Sequence, residues 1–261
     1  MNSMEITALI ENTSCSEGVG AEHGLSLYIK ANGKKLLFDM GQTDLFTANA
    51  QVLGADLSAV DFAVLSHGHY DHGGGLKRFL EINKTAPVYL SRYAFGDYYN
   101  GTEKYIGLDK TLQNSERLIF VGDEMKICDG FTLYSCNDKP RERDLGSFGL
   151  NKKADDEFAA DDFLHEQYLL IEEGGKRVLI SGCSHKGVMD IVSWFEPDVF
   201  VGGFHYSSLA RDEKLKGYSE YLAAFNTDYY TCHCTGVDQF DYMSGYMPRL
   251  KYLSCGQTVS I

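Results

Sequence analysis

A short apolar run, FAVLS (62–66), ends in the sequence SHGHYDHGGG (66–75), so three imidazoles and one carboxylate, His67, His69, Asp71 and His72, stand within six residues. The chain holds only eight histidines in 261 residues, and chance spacing does not gather them this way. Imidazole nitrogen and carboxylate oxygen are ligands of borderline divalent ions, zinc first, with manganese and iron close behind. The paired cysteines that mark a structural zinc site are missing from this run, which points to a working metal centre. In an extended chain the side chains of 67, 69 and 71 share one side and 72 takes the other, so one run serves two neighbouring ions. The glycines that follow open a helix whose N-terminus favours a nearby anion.

The flanking sequence reads as alternating strands and helices. EITALIE (5–11), LSLYIKA (25–31) and KKLLFDM (34–40) have β-rich patterns, with Asn32-Gly33 as a hairpin turn between the second and third. A helix is expected over 43–53, another over 73–83, and a strand in APVYLS (86–91). From about 168 the rhythm resumes with YLLIEE, a Gly174-Gly175 turn and KRVLIS, then a helix near 186–195, DVFVGG (198–203), a helix near 212–225, DYYTC (228–232) and a last strand near 251–254. Two β-rich halves with helices outside predict an α/β sandwich of two mixed sheets. No Pro-rich or low-complexity linker divides the chain, so 1–261 reads as one domain. The tyrosine-rich and then polar stretch at about 92–164 is expected to cover the active site.

Thirty-seven acidic against 24 basic side chains give a formal charge of −13, which disfavours polyphosphate backbones and leaves a small molecule as the expected partner. The opening MNSMEITALIEN has no basic n-region, and nowhere do about 18 apolar residues run together, so neither export nor membrane insertion is expected. Seven cysteines without framework spacing fit reduced thiols in a cytoplasm. Nothing in the pattern speaks to oligomeric state.

H-x-H-x-D-H after an apolar strand resembles the signature of the metallo-β-lactamase-like hydrolase superfamily. The likeness extends through EHGLSLYI (22–29), LLFDMGQ (36–42), LSHGHYDHGGGL (65–76), LISGCSHKG (179–187), GGFH (202–205) and CHCTG (232–236). That set resembles the subgroup typified by an archaeal dihydropterin-ribofuranosylaminobenzene phosphate synthase. The resemblance implies an αββα sandwich with one or two metal ions at one edge, and His67, His69, Asp71, His72 and His233 as ligands. Gly182-Cys183 stands where the superfamily usually has Gly-Asp, the aspartate bridging two metals, which makes Cys183 a possible ligand. Asp39 matches the first-motif aspartate that supports the histidine loop, although a helix N-cap is an alternative role.

The common third motif H-x-x-G-H is missing, and a hairpin stands in its place. His165 precedes one strand of it and Cys183-Ser184-His185 follows the other, so these ends should converge. His185 is therefore an expected ligand and His165 a possible one. His205 ends an apolar strand and is expected to contact substrate or stabilise charge, and His23 is expected at the periphery of the site.

Two ions about 3.5–4 Å apart hold a hydroxide between them at neutral pH, which predicts hydrolysis of a phosphoester, ester or related bond through a metal-bound hydroxide. Asp71 is then the residue to orient the attacking water, with His205 on the leaving side. The tyrosines of 93–105 either stack a flat substrate such as a pterin or pack the core. Three other classes stay open: a di-iron enzyme with a flavin partner, a mononuclear-iron sulfur dioxygenase, and a non-catalytic metal-dependent binding protein. The first usually has Glu where His69 stands, and the last is disfavoured by the intact cluster.

Overall fold

The computed structural model describes residues 4–261; Met1–Ser3, the start of the segment read above for a leader, lie outside the described residues. Two seven-stranded sheets carry the architecture. In the first, the strand order is Thr258–Ser260, Glu5–Ile10, Ser26–Ala31, Lys34–Phe38, Phe62–Val64, Val88–Ser91 and Leu118–Val121. In the second it is Leu250–Tyr252, Asp228–Thr231, Val199–Gly202, Lys176–Ile180, Tyr168–Glu173, Phe131–Tyr134 and Glu124–Cys128. Asn32 and Gly33 both take positive φ, at 48° and 71°, as do Gly174 and Gly175 at 61° and 82°, which gives each hairpin the turn twist that its strands require.

Alternation along the strands builds the layers. Ile6, Ala8, Leu36 and Phe38 point inward against Leu169, Ile171, Val178 and Ile180 of the second sheet. Their neighbours Leu9, Leu37 and Ala63 point outward onto Phe46 and Ala50 of the helix Leu45–Val52 and onto Leu76 and Phe79 of the helix Leu76–Ile82. On the far side, Leu179, Phe200 and Tyr229 meet apolar residues of the helices Val188–Phe195, Glu213–Ala223 and Val237–Ser244. The result is the expected αββα order. Each fully buried leucine or phenylalanine in it contributes about 1.5–3 kcal/mol.

The middle stretch at about 92–164 contains strands that were not expected individually. Leu118–Val121, Glu124–Cys128 and Phe131–Tyr134 extend both main sheets at one edge. Asp97–Asn100, Lys104–Tyr105, Leu150–Ala154 and Glu157–Ala160 form a separate four-stranded antiparallel sheet. Two of its strands escaped the pattern because Glu157–Ala160 is exposed throughout and Asn151–Lys153 only half-buried, so no apolar alternation marks them. Asp155 and Asp156 supply the positive-φ turn between them. Among the described residues no helix is long and apolar enough to cross a membrane.

The strands from Lys34 to Val121 that follow the first hairpin run parallel, as do those at Lys176–Ile180, Val199–Gly202 and Asp228–Thr231. Their carboxyl ends therefore lie along one edge of the sandwich, the usual place for a ligand in such sheets. Asp39, His67, Cys183, His205 and His233 all follow such ends within a few residues.

Candidate metal centre

The histidine run bends at His67 and Gly68 and enters a short helix at Tyr70. The extended alternation expected of the run is therefore corrected, although His67, His69 and Asp71 still come together as expected. His67 and His69 lie with His185, at ring-centroid distances of 4.8 and 5.0 Å. His72 faces His233, their Nε2 atoms 3.2 Å apart. Asp71 Oδ2 sits 3.5 Å from His233 Nε2 and 3.9 Å from His72 Nε2. Asp71 also remains within reach of His67 and His69, all three ligand atoms falling within 4.8 Å of one another. Four of these six residues come from one segment at the edge of the first sheet, and His185 and His233 come from two segments at the edge of the second.

Buried carboxylates and amides fix each imidazole. Asp39 accepts from the Ser66 backbone N–H and hydroxyl, both at 2.7 Å, and from His72 Nδ1 at 2.6 Å. The Ser66 hydroxyl passes the constraint on to His67 Nδ1 at 2.8 Å. Asp39 does this with φ of 60°, and Asp44 holds the N-cap position of the following helix, so the N-cap alternative for Asp39 does not apply. Glu166 accepts from the His185 N–H at 2.7 Å and from its Nδ1 at 3.1 Å. Asn12 Oδ1 accepts from His233 Nδ1 at 2.8 Å, while Glu11 Oε1 accepts from the His233 N–H at 2.7 Å. With Nδ1 of His67, His72, His185 and His233 occupied, each Nε2 is left with its lone pair facing the centre.

Electrostatics agree with this arrangement. Burial first, then the neighbouring imidazoles, push His67 and His69 well below the ordinary histidine range, and burial lowers His233 to about 4. These rings are neutral at neutral pH, the form that binds a metal. Burial works against the Asp71 carboxylate, but His72, His23 and His233 outweigh it and hold Asp71 well below the usual carboxylate range. His67 Nε2 and His69 Nε2 are buried without any hydrogen-bond partner, as are both ring nitrogens of His205. Such orphaned buried groups are costly unless something charged or polar fills the space they face. The donor set of imidazoles, a carboxylate and a thiol fits divalent zinc, manganese or iron.

The remaining expected residues also gather here. Cys183 Sγ is 3.2 Å from His72 Nε2. His165 accepts from the Gly68 N–H at 2.9 Å through Nδ1 and meets Asp161 at 3.0 Å through Nε2. Both of its ring nitrogens are thus engaged, and it braces the histidine loop; entry into a metal's shell requires breaking the Asp161 bond. His205 approaches His185 at 4.5 Å and stacks on Phe148 of the polar loop. His23 is the exposed member, its Nε2 3.2 Å from Asp71. The tyrosine-rich stretch divides: Tyr98 is buried against His165 at 4.0 Å, whereas Tyr93 and Tyr105 are exposed.

Sequence reading missed Glu11, Asn12, Ser66, Asp161, Glu166 and Lys186. Lys186 is fully buried and donates to the carbonyls of Ser135 and Glu166 and to Asn137 Oδ1, tying the polar loop to the hairpin behind His185. Burial lowers its amine to about 8. The adjacency of Glu166 to His165 and of Lys186 to His185 was the one available signal.

Comparison with known proteins gives the same picture. Residues 19–220 match the family described as the metallo-beta-lactamase superfamily. An uncharacterized protein of Methanocaldococcus jannaschii is 30% identical over 240 residues, spanning 88% of this chain and 90% of that protein. The 7,8-dihydropterin-6-methyl-4-(beta-D-ribofuranosyl)-aminobenzene-5'-phosphate synthase of the same organism is 27% identical over 241 residues, spanning 83% of this chain and 82% of that one. The crystal structure of Tm1679, described as a metal-dependent hydrolase of the beta-lactamase superfamily, superimposes with a TM-score of 0.85 at 28% identity over 99% of each chain.

Proposed function

The chain belongs to the metallo-beta-lactamase superfamily, and from that premise we propose that it is a metal-dependent hydrolase of a small, phosphorylated molecule, working with two divalent ions, zinc before manganese or iron. The observation that carries this reading is the His72–His233 pair. Two imidazoles whose Nδ1 atoms are committed to Asp39 and Asn12 bring their Nε2 atoms within 3.2 Å of each other. A divalent cation bound by both nitrogens fits that approach, since about 3.3 Å is the separation of two nitrogens on one tetrahedral zinc.

His67, His69 and His185 would hold one ion, and Asp71, His72 and His233 the other. Divalent ions bound there lower the pKa of water to about 7 and polarise the bond under attack. Asp71, kept ionised by its neighbours, orients the attacking water and accepts its hydrogen bond. The unpartnered nitrogens of His205 face the side from which charge departs, and Phe148 stacked on that ring shields it from water. The phosphorylated substrate class follows from the name of the synthase relative and from cationic metal centres as the attractive feature in an otherwise acidic chain.

The test is turnover of a phosphomonoester and phosphodiester panel by the metal-loaded protein and by Asp71→Ala. Metal-dependent hydrolysis that falls by about 10²–10⁴-fold in the variant supports the assignment. Full turnover by the variant at full metal content contradicts it.

A further inference from the structure

Cys183, like Asp71, reaches both halves of the centre. Its Sγ forms a close group with His67 and His185 and a second close group with His72 and His233, every ligand atom in each lying within 4.8 Å of the others. The backbone is shaped to put it there. A Cβ on Gly182 would sit 2.2 Å from Ser66 Oγ and 3.1 Å from His67 Nδ1, so the strand end presses against the histidine loop with no side chain between. Ser184 then takes φ of 60°, which turns the chain so that His185 follows Cys183 back into the same space.

As an ordinary buried thiol Cys183 is poorly explained. A thiol has one proton and donates it to one acceptor, His72 Nε2 at 3.2 Å, which leaves its place beside His67 and His185 without purpose. Metal–sulfur and metal–nitrogen bonds of about 2.3 and 2.0–2.1 Å put two such ligands of one tetrahedral ion about 3.3–3.7 Å apart, close to the spacing seen. The other thiols of the neighbourhood are used elsewhere. Cys234 donates to the Cys183 carbonyl at 3.5 Å, and Cys232 packs in the core between the sheets.

Resting on the two-ion reading above, we propose that Cys183 is a bridging thiolate, its sulfur bonded to the ion at His67–His185 and to the ion at His72–His233. On loading, the thiol proton leaves to buffer and the sulfur forms two metal bonds; no oxidant or reductant takes part.

Cobalt(II) reports this directly, because a cobalt–thiolate bond has a charge-transfer absorption in the near ultraviolet that nitrogen and oxygen ligands lack. The metal-free reduced protein is titrated with cobalt(II), with bound metal measured in parallel. The expected result is a charge-transfer band that grows through the first equivalent and again through the second, that persists in Cys234→Ser, and that is lost in Cys183→Ser. Cys183→Asp keeps two equivalents without the band. A band that stops growing after one equivalent overturns the bridge. Two equivalents bound by the unaltered protein with no band overturns any role of the thiolate while leaving the two-ion reading intact. No cobalt bound at all overturns both. Because the decisive spectrum is that of the unaltered protein, misfolding of a variant does not rescue the proposal.

Discussion

His72 Nδ1 lies 2.6 Å from Asp39 Oδ2, with both side chains fully buried, and this one contact sets the direction of the ring at the heart of the site. Burial opposes the charged form of His72, but the Asp39 and Asp71 carboxylates outweigh it and leave its pKa raised. A proton at this ring therefore competes with a metal ion at higher pH than at His67, His69 or His233. Asp39→Asn keeps the shape but has one acceptor oxygen where two now take three hydrogen bonds, and metal affinity should fall by about 10–100-fold. A competition titration against a chromophoric chelator checks it; unchanged affinity would show that Asp39 only supports the strand end.

Glu166 should matter for acid stability. Burial works against its charge, yet hydrogen bonds from His185, the Lys186 N–H and the Tyr168 hydroxyl hold the carboxyl far below its ordinary value. A carboxylate depressed by folding contributes stability that is fully present above its unfolded value of about 4.3 and is lost as pH falls toward the folded one. Denaturant midpoints should therefore drop steadily below about pH 4.3. Glu166→Gln should cost about 1.5–3 kcal/mol at neutral pH and make that acid slope shallower. An unchanged slope in the variant places the acid sensitivity elsewhere.

Gly182 is sensitive for a steric reason. Its φ is ordinary, but an added Cβ would overlap the Ser66 hydroxyl at 2.2 Å. Gly182→Ala should destabilise by about 1–3 kcal/mol and spread the strand end from the histidine loop, with weaker metal binding than a loss of stability alone produces. Thermal unfolding with and without added metal separates the two effects. A variant with native metal affinity contradicts the close approach.

Phe148 stacks on His205 at 4.5 Å and 30° from parallel, and so connects the polar loop to the site. Phe148→Ala should leave metal content unchanged and lower kcat/KM for the best substrate found, because the histidine ring loses its shield and its fixed orientation. Metal analysis beside steady-state kinetics tests this. A loss of metal instead of rate would show that the loop holds the ligands themselves.

The four layers were legible because their strands alternate cleanly, Leu36 and Phe38 inward and Leu37 outward, and because Asn32-Gly33 and Gly174-Gly175 dictate their turns. The six expected ligands were legible because they are histidines and an aspartate in a run or at strand ends. What escaped has a common cause: Glu11, Asn12 and Asp161 are single polar residues whose value depends on a partner distant in sequence, as Asn12 depends on His233, 221 positions away. The strand Glu157–Ala160 escaped because it is exposed on every residue and carries no periodicity. The short helix starting at Tyr70 was not legible in the histidine run, since it is set by tertiary packing of the glycines behind it. A Cβ on Gly74 would meet the Gln42 carbonyl at 2.1 Å, and one on Gly75 the Met40 carbonyl at 2.3 Å.

Elemental analysis of the purified protein, before and after reconstitution and again after chelator treatment, bears most directly on the central claim that two ions sit among His67, His69, Asp71, His72, His185 and His233. The account predicts close to two equivalents of zinc, manganese or iron, with phosphoester hydrolysis that disappears with the metal and returns on its replacement. One equivalent of iron with no hydrolysis, or hydrolysis that survives complete removal of metal, would contradict it.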